Sequence, residues 1–130
     1  MYQPLFETFN AQAQTANLIP VYREIVADLD TPLTIFAKVA ATDSHAFLLE
    51  SLEGGEKWGR YSFIGLDPIL TLESRGDQTR VCRNDKEEEL TGDPLSLLKN
   101  LLSSFWTSPD GELPRFFGGA VGFMGYDMVR

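Results

Sequence analysis

Between Arg60 and Leu90 the chain is cut into four short runs, RYSFIG, ILTLES, QTRVCR and EEEL, by the clusters LDP, RGD and NDKE. Proline, glycine, asparagine and aspartate in such clusters turn the backbone, so consecutive runs fold back on one another. This spacing predicts an antiparallel β-meander. It limits the flanking segments to elements that can cover such a sheet.

Those flanks read mainly as helices. Leu5, Phe6, Phe9 and Ala13 recur at roughly helical spacing, which predicts a short amphipathic helix. In NLIPVYREIVADL the residues Leu18, Val21, Ile25 and Leu29 suit a helix, but Pro20 and the β-branched residues favour a strand over residues 18–26. DTPLTIFAKVAA offers Asp30 as N-cap with Pro32 in the first turn, and Leu33, Phe36 and Ala40 share a face. HAFLLES is a short apolar run and reads as a buried strand. GDPLSLLKNLLSSFW begins with Asp93 as N-cap and Pro94 at the first helical position, and Leu95, Leu98, Leu102 and Phe105 form an apolar face. After the breaker TSPDGELPR, the segment Phe116–Met124 reads as a strand weakened by glycine. The fold class is α+β, an antiparallel β-sheet with helices packed on one face.

The 130 residues fit one domain able to bury a core. Eleven basic and 19 acidic residues give a net charge of −8, which repels phosphate backbones and argues against a nucleic-acid partner. Cys82 is the single cysteine, so no internal disulfide is possible and a thiolate zinc site is disfavoured. The N-terminal residues lack the basic start and apolar stretch of a signal peptide. No window approaches the roughly 20 apolar residues of a membrane helix. A soluble protein of the cytoplasm is expected. FFGGAVGFMGYDMVR, at the other end, is glycine-rich and apolar where domain ends are usually polar, and suggests a fragment of a longer chain.

Several motifs are tested and set aside. GGEKWGRYS lacks the spacing and the Lys-Ser/Thr pair of a phosphate-cradling loop, and GGAVGFMG lacks the G-x-G step of a dinucleotide fingerprint. Its glycines read instead as close packing or bulges. His45 and Cys82 occur once each, so a metal cluster or a Cys–His dyad would need both brought together. An exposed turn histidine and a buried structural thiol are favoured. Glu87, Glu88 and Glu89 read as a solvated edge.

The stretch LLESLEGGEKWGRYSFIGLDP differs in kind. Glu50 and Ser51 end one apolar strand and Arg60 begins the next, so a hairpin would gather a carboxylate, a hydroxyl and a guanidinium at a sheet end. A carboxylate accepts from an ammonium, and an arginine holds a carboxylate in bidentate fashion. Together they match the two ends of a free amino acid, with Trp58 or Tyr61 as an apolar wall. A Glu50–Arg60 ion pair closing the hairpin explains the same residues, and on chemistry alone it is the favoured reading.

LLES, EGGEKWGRYSFIG, GGAVGFMGYDMVR and LIPVYREIVADLDTPLTIFAK together resemble the N-terminal region of anthranilate synthase component I, in the expected order. The resemblance implies that residues 1–130 are a regulatory, tryptophan-sensing domain within a larger two-domain chorismate-utilising fold, with the catalytic domain outside this chain. The complete enzyme would convert chorismate to anthranilate with release of pyruvate, using Mg²⁺. Ammonia would come from a glutamine amidotransferase subunit, and tryptophan would inhibit. The inhibitor contacts carried over are Leu49, Glu50 and Ser51, with Arg60 on a looser alignment. No catalytic or metal-binding residue is expected in this segment. Aminodeoxychorismate synthase component I is the nearest alternative, though EGGEKWGRYSFIG is closer to the anthranilate enzyme. A free-standing amino-acid-binding module is the alternative of another class.

Overall fold

The computed structural model describes residues 1–41, 45–50, 61–107, 113–114 and 116–126. Their elements run α1 (Phe6–Gln12), α2 (Pro32–Val39), β1 (Phe47–Glu50), β2 (Ser62–Gly65), β3 (Thr71–Arg75), β4 (Gln78–Arg83), β5 (Lys86–Thr91) and α3 (Pro94–Ser103). The α+β class stands. The chain divides into two compact units, Met1–Glu24 with Leu72–Val81 and Glu87–Arg130, and Ile25–Thr71 with Cys82–Lys86.

The strands form two sheets rather than one meander. β2 leaves the series and pairs antiparallel with β1, while β3, β4 and β5 make a three-stranded sheet in that order. The break falls in LDP, where Asp67 takes a φ of +48° and Pro68 has no N–H to donate to a ladder. The turns within the three-stranded sheet fit their sequences. Gly76, first of the two residues linking β3 to β4, has a φ of +64°, which a glycine-first hairpin turn requires. Asn84 and Asp85, between β4 and β5, both lie in the left-handed region, as the tightest hairpin turns demand.

β4 carries the most deeply buried side chains. Thr79 and Val81, 1% and 6% exposed, alternate with exposed Gln78 and Arg80 along this central strand, a period-2 pattern. The Thr79 hydroxyl is satisfied by Ser74 Oγ at 2.8 Å on the adjacent strand. β5, an edge strand, is mostly exposed and carries Glu87, Glu88 and Glu89, the solvated edge the charge run suggested.

The starts of α2 and α3 follow a common rule: a proline at the first helical position makes the residue before it the N-cap. Asp93 accordingly accepts from the Ser96 N–H at 2.8 Å and starts α3. The same rule corrects the expected cap of α2. Thr31 caps it, in a reciprocal capping box with Thr34. Asp30 instead accepts from the Thr34 hydroxyl at 3.1 Å and from Lys38 Nζ at 2.6 Å. In the Ile25–Thr71 part of its unit, α2 lies against both β1 and β2. The half-buried residues of α3 are Pro94, Leu97, Leu98 and Leu101, with Phe105 half-buried just beyond its end, while Leu95 and Leu102 are exposed. The inward face therefore shares only Leu98 and Phe105 with the expected one.

Two expected strands are absent. Residues 18–26 make only isolated bridges, Gln3 with Tyr22 and Leu18 with Thr107, because Pro20 interrupts any ladder between them. Residues 116–126 contain no strand. The first segment is instead fastened by the Asn17 side chain. Its Nδ2 donates to the Ser104 carbonyl at 2.7 Å, and its Oδ1 accepts from the Trp106 backbone N–H at 2.9 Å. The backbone N–H groups of Asn17 and Leu18 both donate to the Trp106 carbonyl at 3.2 Å, and the Trp106 indole N–H donates to the Thr15 carbonyl at 2.9 Å.

Removing the two Asn17 side-chain bonds by Asn17→Ala lowers unfolding stability by about 1–2 kcal/mol, read from the urea midpoint. An unchanged midpoint would show that the backbone bonds suffice. A second expectation concerns pH. Hydrogen bonds from Lys38 and then Thr34 hold the Asp30 carboxyl below its ordinary value, and those from Ser96 do the same for Asp93. A depressed carboxylate pKa stabilises the fold above the unfolded value, so this contribution is complete above about pH 5 and is lost as pH falls below about 4. The melting temperature of Asp30→Asn/Asp93→Asn should therefore fall less than that of the parent between pH 5 and pH 3. Parallel curves would refute the assignment.

Candidate functional site

The end of the β1–β2 hairpin at which the chain passes from one strand to the other carries the residues singled out by sequence. The register is Phe47 opposite Gly65, Leu48 opposite Ile64, Leu49 opposite Phe63 and Glu50 opposite Ser62. Directly opposed residues share a face and neighbours along a strand alternate. Leu49 thus shares a face with Phe63, and Glu50 shares the other with Ser62. Both Leu49 and Glu50 are exposed. Tyr61 extends the Leu49 side: its ring stacks on Phe63 with centroids 6.2 Å apart and planes 28° apart.

This geometry sets what the site can do. Leu49 with the Tyr61–Phe63 pair offers an apolar surface of the size of an aromatic ring. Glu50 offers a negative charge beside the Ser62 hydroxyl, on the opposite face. A ligand that touches both side chains lies across the strand end, where the two faces meet, and not on one face. Ser51, Arg60 and Trp58, and with them the expected Glu50–Arg60 ion pair, fall outside the described residues. Ser62 and Phe63 were missed by sequence reasoning, because their place follows from the pairing register and no local motif marks them.

At the other end of the hairpin the strands come very close. A Cβ added to Gly65 would overlap the Phe47 ring. Only glycine lets this ring lie over the backbone of its partner strand.

Other candidate chemistry is weak. Among the described residues no group of three or more His, Cys, Asp or Glu side chains gathers in a metal-holding arrangement. His45 is exposed in a bend before β1, and Cys82 is half-buried on β4. A groove of about 330 Å³ on the three-stranded sheet is lined by Glu73, Arg75, Gln78, Thr79, Arg80 and Glu89. Its charges compensate each other, since Arg75 donates to Glu73 Oε1 through Nε at 3.1 Å and Nη2 at 2.8 Å. Residues 116–125 of the glycine segment lie in neither a strand nor a helix, unlike the glycines of a dinucleotide fingerprint. No described helix is long and apolar enough to cross a membrane.

No protein-family model matches the chain. Curated proteins do. The anthranilate synthase component 1 of Synechocystis is 47% identical over 131 aligned positions, covering all of this chain and 26% of its own length. That of Acetivibrio thermocellus is 42% identical with the same coverage. That of Aquifex aeolicus is 43% identical, over 91% of this chain and 24% of its own length.

The chain belongs to the anthranilate synthase component 1 family. It spans about a quarter of the length of these relatives. Anthranilate synthase is thus the resemblance that the comparison bears out at the level of family.

The Gly65 contact yields a direct expectation. Gly65→Ala forces the Phe47 ring aside and costs about 1–3 kcal/mol in urea unfolding. The double variant Phe47→Ala/Gly65→Ala should cost less than the sum of the two single variants. Additive costs would mean that the ring and the glycine do not meet.

Proposed function

We propose that this chain is the N-terminal part of an anthranilate synthase component 1 that converts chorismate to anthranilate with release of pyruvate. On this reading residues 1–130 are its regulatory domain. The end of the β1–β2 hairpin contributes half of the site at which tryptophan inhibits. The observation that carries the reading is an exposed carboxylate, Glu50, at a strand end that also bears Leu49 and the stacked Tyr61–Phe63 rings. A tryptophan molecule has matching parts: an ammonium for a carboxylate and a flat apolar ring for an apolar wall. Ser51 and Arg60 belong to the same proposal from the family resemblance, as partners for the ligand's polar end.

Inhibition then needs no contact with the reacting atoms. A ligand gripping residues of this domain and of the catalytic domain favours the arrangement in which both halves of its site meet. Its effect on activity is limited by its differential affinity for the two arrangements. Ammonia would come from a glutamine amidotransferase subunit, the component 2 that the relatives' numbering implies. Magnesium would serve the reaction in the catalytic domain, and no chemical step is assigned to residues of this segment. The setting is the cytoplasm, where Cys82 stays a thiol.

The test is a tryptophan titration of anthranilate formation by the full-length enzyme. Glu50→Ala and Ser51→Phe should each raise the tryptophan concentration for half-inhibition by about tenfold or more, with the chorismate KM unchanged. Wild-type sensitivity in both variants would end the sensing role. Calorimetry with residues 1–130 separates the alternative class: the half-site should show no micromolar tryptophan binding. A micromolar Kd would favour a free-standing amino-acid-binding module.

A further inference from the structure

RYSFIG contains one residue that does not suit a strand as its neighbours do. Tyr61, Phe63 and Ile64 are aromatic or β-branched, the types a pleated surface favours, and Ser62 among them is neither. The register sets Ser62 opposite Glu50, at the last described pair of the β1–β2 ladder. The pair before it is Leu48 with Ile64, both half-buried. The ladder thus passes from a half-buried apolar pair to a carboxylate and a hydroxyl that are both exposed.

Directly opposed residues on antiparallel strands hold their Cβ atoms about 4.5–5.5 Å apart. A glutamate carboxylate and a serine hydroxyl at that spacing can reach one small group set between them. Charge selects the group. The Glu50 carboxylate repels a second carboxylate and attracts a cation. A primary ammonium carries three N–H donors, and the carboxylate and the hydroxyl are two acceptors side by side. Of the two ends of a free amino acid, the ammonium is the one this pair fits. Half-buried Leu48 and Ile64 keep it at the strand end, because a charge moved toward them would lose water without gaining a polar partner.

We propose that Ser62 is a further ligand-binding residue of this site. Its hydroxyl accepts one N–H of the ligand's ammonium while the Glu50 carboxylate accepts another. The inference rests on the reading of this hairpin end as part of a tryptophan site. It adds a residue that lies outside LLES and is set in place by the pairing of β1 with β2.

Tryptophan titration of anthranilate formation by the full-length enzyme carrying Ser62→Thr or Ser62→Val tests this. Threonine and valine have nearly the same shape and both suit a strand, so the hydroxyl is what separates them. Ser62→Val should raise the tryptophan concentration for half-inhibition about tenfold, the loss of one hydrogen bond to a charged group. Ser62→Thr keeps the acceptor and should stay within about threefold of the parent. Equal values for the two variants overturn the proposal, whether both lose sensitivity or both keep it. Glu50→Ala/Ser62→Val should raise the half-inhibition concentration by less than the product of the two single changes, because both residues hold one ammonium. Independent factors mean separate contacts and overturn it. Wild-type sensitivity in Glu50→Ala, Ser51→Phe and Ser62→Val alike removes the tryptophan site and this inference with it. Desensitised Glu50→Ala beside a fully sensitive Ser62→Val leaves the site standing and removes the Ser62 contact alone.

Discussion

The side-chain amide of Asn17 joins two parts of the chain that lie 87 and 89 residues apart in sequence. It donates to the Ser104 carbonyl and accepts from the Trp106 N–H, where α3 ends. The Ser104 carbonyl is open to it because a helix leaves its last carbonyls unpaired, and the Trp106 N–H lies beyond the last bonds of the helix. The clasp supplies order where the local sequence supplies none: Pro20 prevents a ladder, and the segment after α1 has only isolated bridges. Without Asn17, the Met1–Glu24 stretch would be held to the rest of its unit by backbone contacts around Leu18 and Trp106 and by the indole bond to Thr15.

Features set within a few residues were legible in the sequence. The cap of α3 follows from Pro94 at its first helical position, and the turns at Gly76 and at Asn84–Asp85 depend on residues that tolerate left-handed backbone. What sequence left obscure is set by pairing over distance. β2 belongs with β1 because Leu49 meets Phe63 and Glu50 meets Ser62, a choice that RYSFIG alone does not encode. The face of α3 turned on the same point: Leu95, Leu98 and Leu102 satisfy helical spacing, yet of these only Leu98 is half-buried, together with Leu97 and Leu101. Both arcs are apolar, so periodicity alone could not select between them. Residues 116–124 carry strand chemistry without a partner, and a strand without a partner is not a strand.

The candidate site was legible as composition but not as geometry. LLES named Leu49 and Glu50, and Tyr61 was named as a wall. The register then added that Leu49 and Glu50 diverge, with Phe63 and Ser62 as their respective companions. A half-site built this way presents its apolar and charged parts around a strand end, an arrangement that needs a second surface to enclose a ligand. It suits a sensor whose affinity depends on what stands opposite.

The row of glutamates on β5 bears on how copies of this chain behave in company. An added strand would lie about 4.8 Å from its neighbour. A second copy approaching β5 in that way would bring three more carboxylates against Glu87, Glu88 and Glu89, on a molecule whose net charge is already −8. Mutual repulsion closes that border of the sheet to self-stacking. A chain that exposes Phe123 and Tyr126 therefore has one flank protected from fibril-like growth, and crowding at high concentration is steered toward its apolar tail instead.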